Sequence, residues 1–207
     1  MTAWLVLFAL GAYHGLNPAM GWLFAVSLGL QEKSGRAVWR ALPALALGHL
    51  ASMSAVVAVF ALLQVGISSG PVRIIAAAVL LALGIMKLVG SRHPGWAAWT
   101  GMRVGFRDLT IWSFLMATAH GAGLMLLPVL FSLPAAAHSE HMHAGAVMPQ
   151  PWMVAVAVHT LAYLTTAAAI ALVVYRFVGV AFLRRAWVNL DLLWGLALVI
   201  AGIVTVT

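Results

Sequence analysis

The sequence predicts an all-α polytopic membrane protein: six transmembrane helices in a 3+3 inverted-topology repeat, with both termini outside. Three observations predict it. First, the 207 residues are 64% hydrophobic and 7% charged, with mean hydropathy +1.06, a balance that requires lipid as the main solvent. Second, six apolar segments fill the chain at about 3–29, 38–64, 71–90, 109–133, 151–175 and 186–206. Each is near the roughly 20 residues that cross a hydrocarbon core. Third, histidine-centred patterns recur in the same order in the two halves, about 1–90 and 105–207. A single integral membrane domain over 1–207 leaves no length for a soluble one.

The first segment holds "GAYHGLNPAMGWLF". Its start lacks a basic region and a polar gap, so it reads as a span and not as a cleaved signal peptide. Pro18 has no N–H and collides with the carbonyl of residue 14, so a break with a freed His14 carbonyl is expected here. Gly11, Gly15 and Gly21 make unwinding inexpensive. The second segment carries His49 in "GHLASM", and the third is plainly apolar. The fourth repeats the theme of the first in "AHGAGLMLLP", with His120. Its Pro128 stands eight residues beyond the histidine instead of four, so its break is expected to be displaced. The fifth carries His159 in "VHTLAY", and the sixth follows "RRAWVNLD".

His14 to His49 is 35 residues and His120 to His159 is 39. Two three-helix halves must enter the membrane from opposite sides, because three is odd. That is a recurrent plan of transporters. All four histidines fall near middle depth, on four different helices. Polar groups there are costly and serve as interhelical glue or as functional sites.

Ten of the eleven basic residues lie in the first, third and fifth links: Lys33, Arg36, Arg40, Lys87, Arg92, Arg103, Arg107, Arg176, Arg184 and Arg185. The positive-inside rule puts those links in the cytoplasm. The net charge of +7 then reports loop asymmetry and not a nucleic-acid partner. The fourth link faces outward and contains His138, Glu140, His141 and His143, a His-rich tract with metal-ligand chemistry but no defined geometry. Asp108 suits a helix N-terminus, Glu32 a loop, and Asp191 the cytoplasmic interface beside a basic link. Trp96, Trp99, Trp112, Trp152 and Trp187 flank spans as interfacial anchors do, and Trp22 and Trp39 flank the first cytoplasmic link. Met20, Met53 and Met125 neighbour the histidines. The absence of cysteine removes disulfides, thiolate metal sites and thiol redox relays. No Gly-x-Ser-x-Gly or His-Glu-x-x-His motif is present, so no enzyme is expected.

With these residues in view, the chain resembles the lysine-exporter-type transporter superfamily. "HGLNP" at His14 to Pro18 looks like the short His-x-x-Asp/Asn-Pro signatures of its nickel–cobalt and hydrogenase/urease accessory permeases. The His-rich fourth link is similar to that of some nickel/cobalt exporters. The resemblance covers the whole chain in architecture and about five residues in motif, with Asn17 where a carboxylate is usual and no His-Asp-His signature. Uncharacterised bacterial six-span membrane proteins look similar too.

The expected function is a bacterial inner-membrane secondary transporter for a divalent transition-metal ion. His14, Asn17, His49, His120 and His159 form its midplane site, His138, Glu140, His141 and His143 a weaker outer one, and histidine protonation offers proton coupling. The alternative is a haem- or metal-binding subunit of a larger membrane complex, since b-type haems are also held by intramembrane histidines. Haem is the less favoured cofactor because the four histidines share one depth. The partners expected are the lipid bilayer and a metal ion or small-molecule substrate, with a homo-oligomer or a membrane-complex partner left open.

Overall fold

In lipid an unpaired backbone group has no water to turn to, so an apolar chain closes its hydrogen bonds within helices. The computed structural model describes residues 2–66, 69–89, 104–133, 150–178 and 190–206, and among them it contains helices and turns but no strand. In chain order these are α1 (Thr2–Leu16), a 3-10 turn (Pro18–Met20), α2 (Trp22–Gln31), α3 (Gly35–Gly66), α4 (Ser69–Val89), α5 (Phe106–Ala119), α6 (Ala122–Ser132), α7 (Gln150–Val173) with a π-helical extension (Val174–Val178), and α8 (Leu190–Val206).

Among the described residues, three helices are long and apolar enough to cross a bilayer: α3 over Gly35–Gln64, α4 over Gly70–Val89, and α7 with its extension over Gln150–Val178. α5 and α6 together make a fourth, bent by 59°. α1, α2 and α8 are shorter apolar helices. The protein is therefore membrane-embedded and, among the described residues, all-helical, and its segments at 3–29 and 109–133 are each two helices and not one. The link between α2 and α3 is tight. Lys33 takes a left-handed turn at φ 48°, Ser34 N–H donates to the Gly29 carbonyl at 2.9 Å, and Arg40 pairs with Glu32.

Both breaks adjoin a histidine. In the first, Asn17 is extended and its Oδ1 accepts from Ala19 N–H at 2.9 Å, capping the 3-10 turn. Gly21 at φ 110° then restarts the helix. The carbonyl that Pro18 takes from the helical ladder is that of His14, and Asn17 N–H donates to it at 3.2 Å, so it does not face an open cavity. The second break differs from the sequence expectation. It falls at His120 and Gly121, where Gly121 is left-handed at φ 68°, while Pro128 lies inside α6. A left-handed residue reverses the chain's local sense, whereas a proline removes one hydrogen bond and one clear space, so Gly121 is the stronger interruption.

Three pairings dominate the packing: α1 along α7, α3 along α5, and α4 along α8. Each has glycine at the point of closest approach, the usual means by which apolar helices gain contact in lipid. A Cβ on Gly11 would strike the His159 carbonyl of α7, and one on Gly15 would stand 2.6 Å from the Tyr163 carbonyl. A Cβ on Gly48 would strike the Thr110 carbonyl of α5. Between α4 and α8, a Cβ on Gly84 would stand 2.9 Å from the Val199 nitrogen. Polar bonds reinforce the α3–α5 pair: Ser113 Oγ donates to the Leu45 carbonyl at 2.7 Å, and Ser52 and Thr118 share a hydroxyl bond of 2.8 Å.

Candidate functional site

The four intramembrane histidines are each no more than 1% exposed. His14 sits in the last turn of α1, His49 in mid-α3, His159 in α7, and His120 is the C-cap of α5. The structure brings three of them into one cluster. Ring centroids are 4.8 Å apart for His14–His159, 5.7 Å for His14–His49 and 5.7 Å for His49–His159. The His49 and His159 rings are parallel to within 3°, and His14 stands edge-on to both.

His14 Nδ1 is 2.8 Å from the Leu10 carbonyl, and His120 Nδ1 is 2.8 Å from the Met116 carbonyl. A carbonyl only accepts, so in the neutral ring the proton sits on Nδ1 and the lone pair on Nε2. The same i to i−4 device thus fixes the same tautomer in both halves. Histidine ligands are commonly oriented in this way. Five ring nitrogens of the cluster, His14 Nε2 and both nitrogens of His49 and His159, are buried without a hydrogen bond of good geometry. The Leu7 carbonyl of α1 lies in looser contact with the His159 ring. Beside His159, Thr160 Oγ1 is also buried without a partner. As the rings are turned, no group of three His, Asp or Glu side chains among the described residues is set to hold a metal ion.

Aromatic rings enclose the cluster. Tyr163, one turn beyond His159, stacks on His49 at 4.0 Å and donates its hydroxyl to the Met20 carbonyl at 2.7 Å. Trp194 of α8 stands edge-to-face with His14 at 4.4 Å and with His120 at 5.6 Å. Its Nε1–H donates to the His120 carbonyl at 2.5 Å. Trp22 Nε1–H donates to the Leu16 carbonyl at 3.1 Å. Aromatic donors thus meet carbonyls at both breaks, those of Leu16 and Met20 at the first and that of His120 at the second.

His120 joins the cluster through Trp194, and Asn17 is buried next to His14 in sequence with its Oδ1 engaged in the cap. Met20, Met53 and Met125 are buried packing residues. Asp108 Oδ2 accepts from Gly105 N–H at 2.9 Å at the start of α5. His138, Glu140, His141 and His143 lie outside the described residues, as does the Asp191 side chain. Sequence reasoning missed Trp194 and Tyr163. The available signal was depth: both fall well inside their apolar segments and not at an edge, where interfacial aromatics belong. Trp22 likewise is buried, while Trp39 is exposed. No family model, characterised protein or solved structure matches the chain.

Proposed function

We propose that this chain is a bacterial inner-membrane secondary transporter that carries a divalent transition-metal ion through the His14–His49–His159 cluster. The observation that carries the reading is the meeting of three imidazoles from three helices inside an apolar bundle, with five ring nitrogens that lack a hydrogen bond of good geometry. Such groups are expensive to bury without a partner, and an ion that accepts one lone pair from each of the three neutral rings supplies a partner for three of the five. The spacing is suitable. An imidazole centre lies roughly 3 Å from an ion bound at about 2.0–2.1 Å, so three around a tetrahedral ion stand about 5 Å apart. The three centroid distances of 4.8, 5.7 and 5.7 Å lie close to that, and loading requires the His49 and His159 rings to turn from their parallel stack.

The six-span, 3+3 inverted architecture with both termini outside belongs to the same proposal. Exchanging the halves carries α1–α2 onto α5–α6, α3 onto α7 and α4 onto α8. The pairing α1–α7 then becomes α5–α3, and α4–α8 maps onto itself, so the principal packing is invariant. The repeated tautomer device and the two histidine-adjacent breaks follow the same exchange. Discontinuous helices flanking a midplane site are a recurrent transporter feature. Imidazole can take up a proton in exchange for an ion, which supplies a proton-coupling group without a carboxylate.

The test is elemental analysis of purified protein after exposure to Ni, Co, Cu, Zn or Mn, with His14→Ala, His159→Ala and His120→Ala alongside. Bound metal is expected in the wild type, lost in the first two variants and reduced less in the third. Wild-type stoichiometry in both His14→Ala and His159→Ala removes the site. A Soret band in the wild type replaces the reading with the haem alternative.

A further inference from the structure

Trp194 touches both broken helices at the residues where each carries its histidine. Its ring lies parallel to Tyr13 within 3° at 5.0 Å, and it is edge-to-face with the adjacent His14 at 4.4 Å and 87°. It is also edge-to-face with His120 at 5.6 Å and 78°, and its indole N–H holds the His120 carbonyl. That carbonyl belongs to the C-cap at which the chain turns left-handed through Gly121. The indole itself is 1% exposed, so these groups and the surrounding core hold it.

We propose that Trp194 is the gate between two imidazole stations, the His14–His49–His159 cluster and His120, and that its release is coupled to the second helix break. The inference rests on the transporter reading above. A transition-metal cation leaving the cluster toward His120 meets the indole, because both imidazoles stand against that one ring. Swinging the ring aside breaks the N–H bond to the His120 carbonyl, so the gate cannot open without loosening the turn at Gly121. The indole is well suited to this task. Its face attracts a passing cation, but it offers no lone pair to trap one. Tyr13, stacked parallel to the indole, sets the closed position. Trp194 is thus a positioning residue: it coordinates nothing and decides when the stations communicate.

The test uses the full chain reconstituted in liposomes, with Zn2+, Ni2+ and Co2+ each supplied alone. Trp194→Phe keeps an aromatic ring and loses the N–H; Tyr13→Ala keeps the indole and removes its backing. Both are expected to retain the wild-type equilibrium stoichiometry and half-saturation concentration for the ion while the maximal transport rate changes at least tenfold. A merely structural role would instead move binding and folding together and leave the rate per bound ion unchanged; that result overturns the gate. Rates within twofold of wild type in both variants overturn it as well, with the transporter reading left standing. If the wild type neither binds nor moves any of the three ions, the transporter reading fails first, and the gate fails with it.

Discussion

The His49 imidazole lies flat on the Tyr163 ring, with centroids 4.0 Å apart and planes 15° apart. The same tyrosine ties α7 to the first helix break through its hydroxyl on the Met20 carbonyl. One side chain therefore holds a candidate ligand and the turn beside it. Tyr163→Phe keeps the stack and leaves the Met20 carbonyl unpaired, at an expected cost of about 1–3 kcal/mol. Tyr163→Ala removes the stack as well and is expected to cost about 3–5 kcal/mol. Thermal unfolding in detergent checks the order; equal losses in both variants would mean that the ring contributes nothing beyond its hydroxyl.

Asn17 offers a clean separation of capping from ligation. Serine at this position retains an oxygen for the Ala19 N–H, whereas alanine does not. Asn17→Ala is expected to lose about 1 kcal/mol and Asn17→Ser to stay within about 0.5 kcal/mol of wild type. If the amide were a ligand, Asn17→Ser would lose bound metal despite its retained stability. Isothermal metal titration of the two variants reads this directly.

The glycine contacts predict a sharp contrast among identical substitutions. Gly11→Ala and Gly48→Ala drive a methyl into a carbonyl of the facing helix, and Gly15→Ala stands 2.6 Å from another. Overpacking of this kind costs about 1–3 kcal/mol or more where backbone must shift. Gly70→Ala meets nothing within 4 Å and is expected to fall within about 0.5 kcal/mol of wild type. Denaturant titration in mixed micelles compares the four; a cost at Gly70 equal to that at Gly48 would contradict the close approach of α3 to α5.

The α3–α5 pairing is open to a covalent test, since the chain has no native cysteine. Ser52 Oγ and Thr118 Oγ1 are 2.8 Å apart. The double variant Ser52→Cys/Thr118→Cys is expected to form a disulfide on mild oxidation, seen as a shift in gel mobility that reductant reverses. The control Gly70→Cys/Thr118→Cys is expected to stay reduced.

Hydrophobic runs were enough to read the helical class but not the number of helices, and the cost of polar groups in lipid was enough to single out His14, His49, His120 and His159. Pro18 also marked the first break correctly, because a proline four residues beyond His14 must interrupt its carbonyl. The second break was not legible from proline spacing. Pro128 is accommodated inside α6, while Gly121 turns left-handed, and a glycine's φ is not written in its identity. The short lengths of α1 and α2 follow from the first break, which divides an apolar run that looks continuous. Trp194 and Tyr163 escaped notice for a different reason. Their roles come from rings and carbonyls that meet them from distant parts of the chain, a relation that no local window contains.

The cluster is assembled from both ends of the chain. His14 is made 145 residues before His159, and Gly11 and Gly15 equally precede the α7 carbonyls against which they close. At about 5–20 residues per second, that separation is roughly 7 to 30 s of synthesis. Throughout it, the His14 imidazole lacks the α7 residues that pack against it. α1 therefore lacks its principal packing partner until the fifth apolar segment is made. The three imidazoles meet only once α7 has been made and packs along α1, so the order of synthesis along the chain sets when the cluster forms.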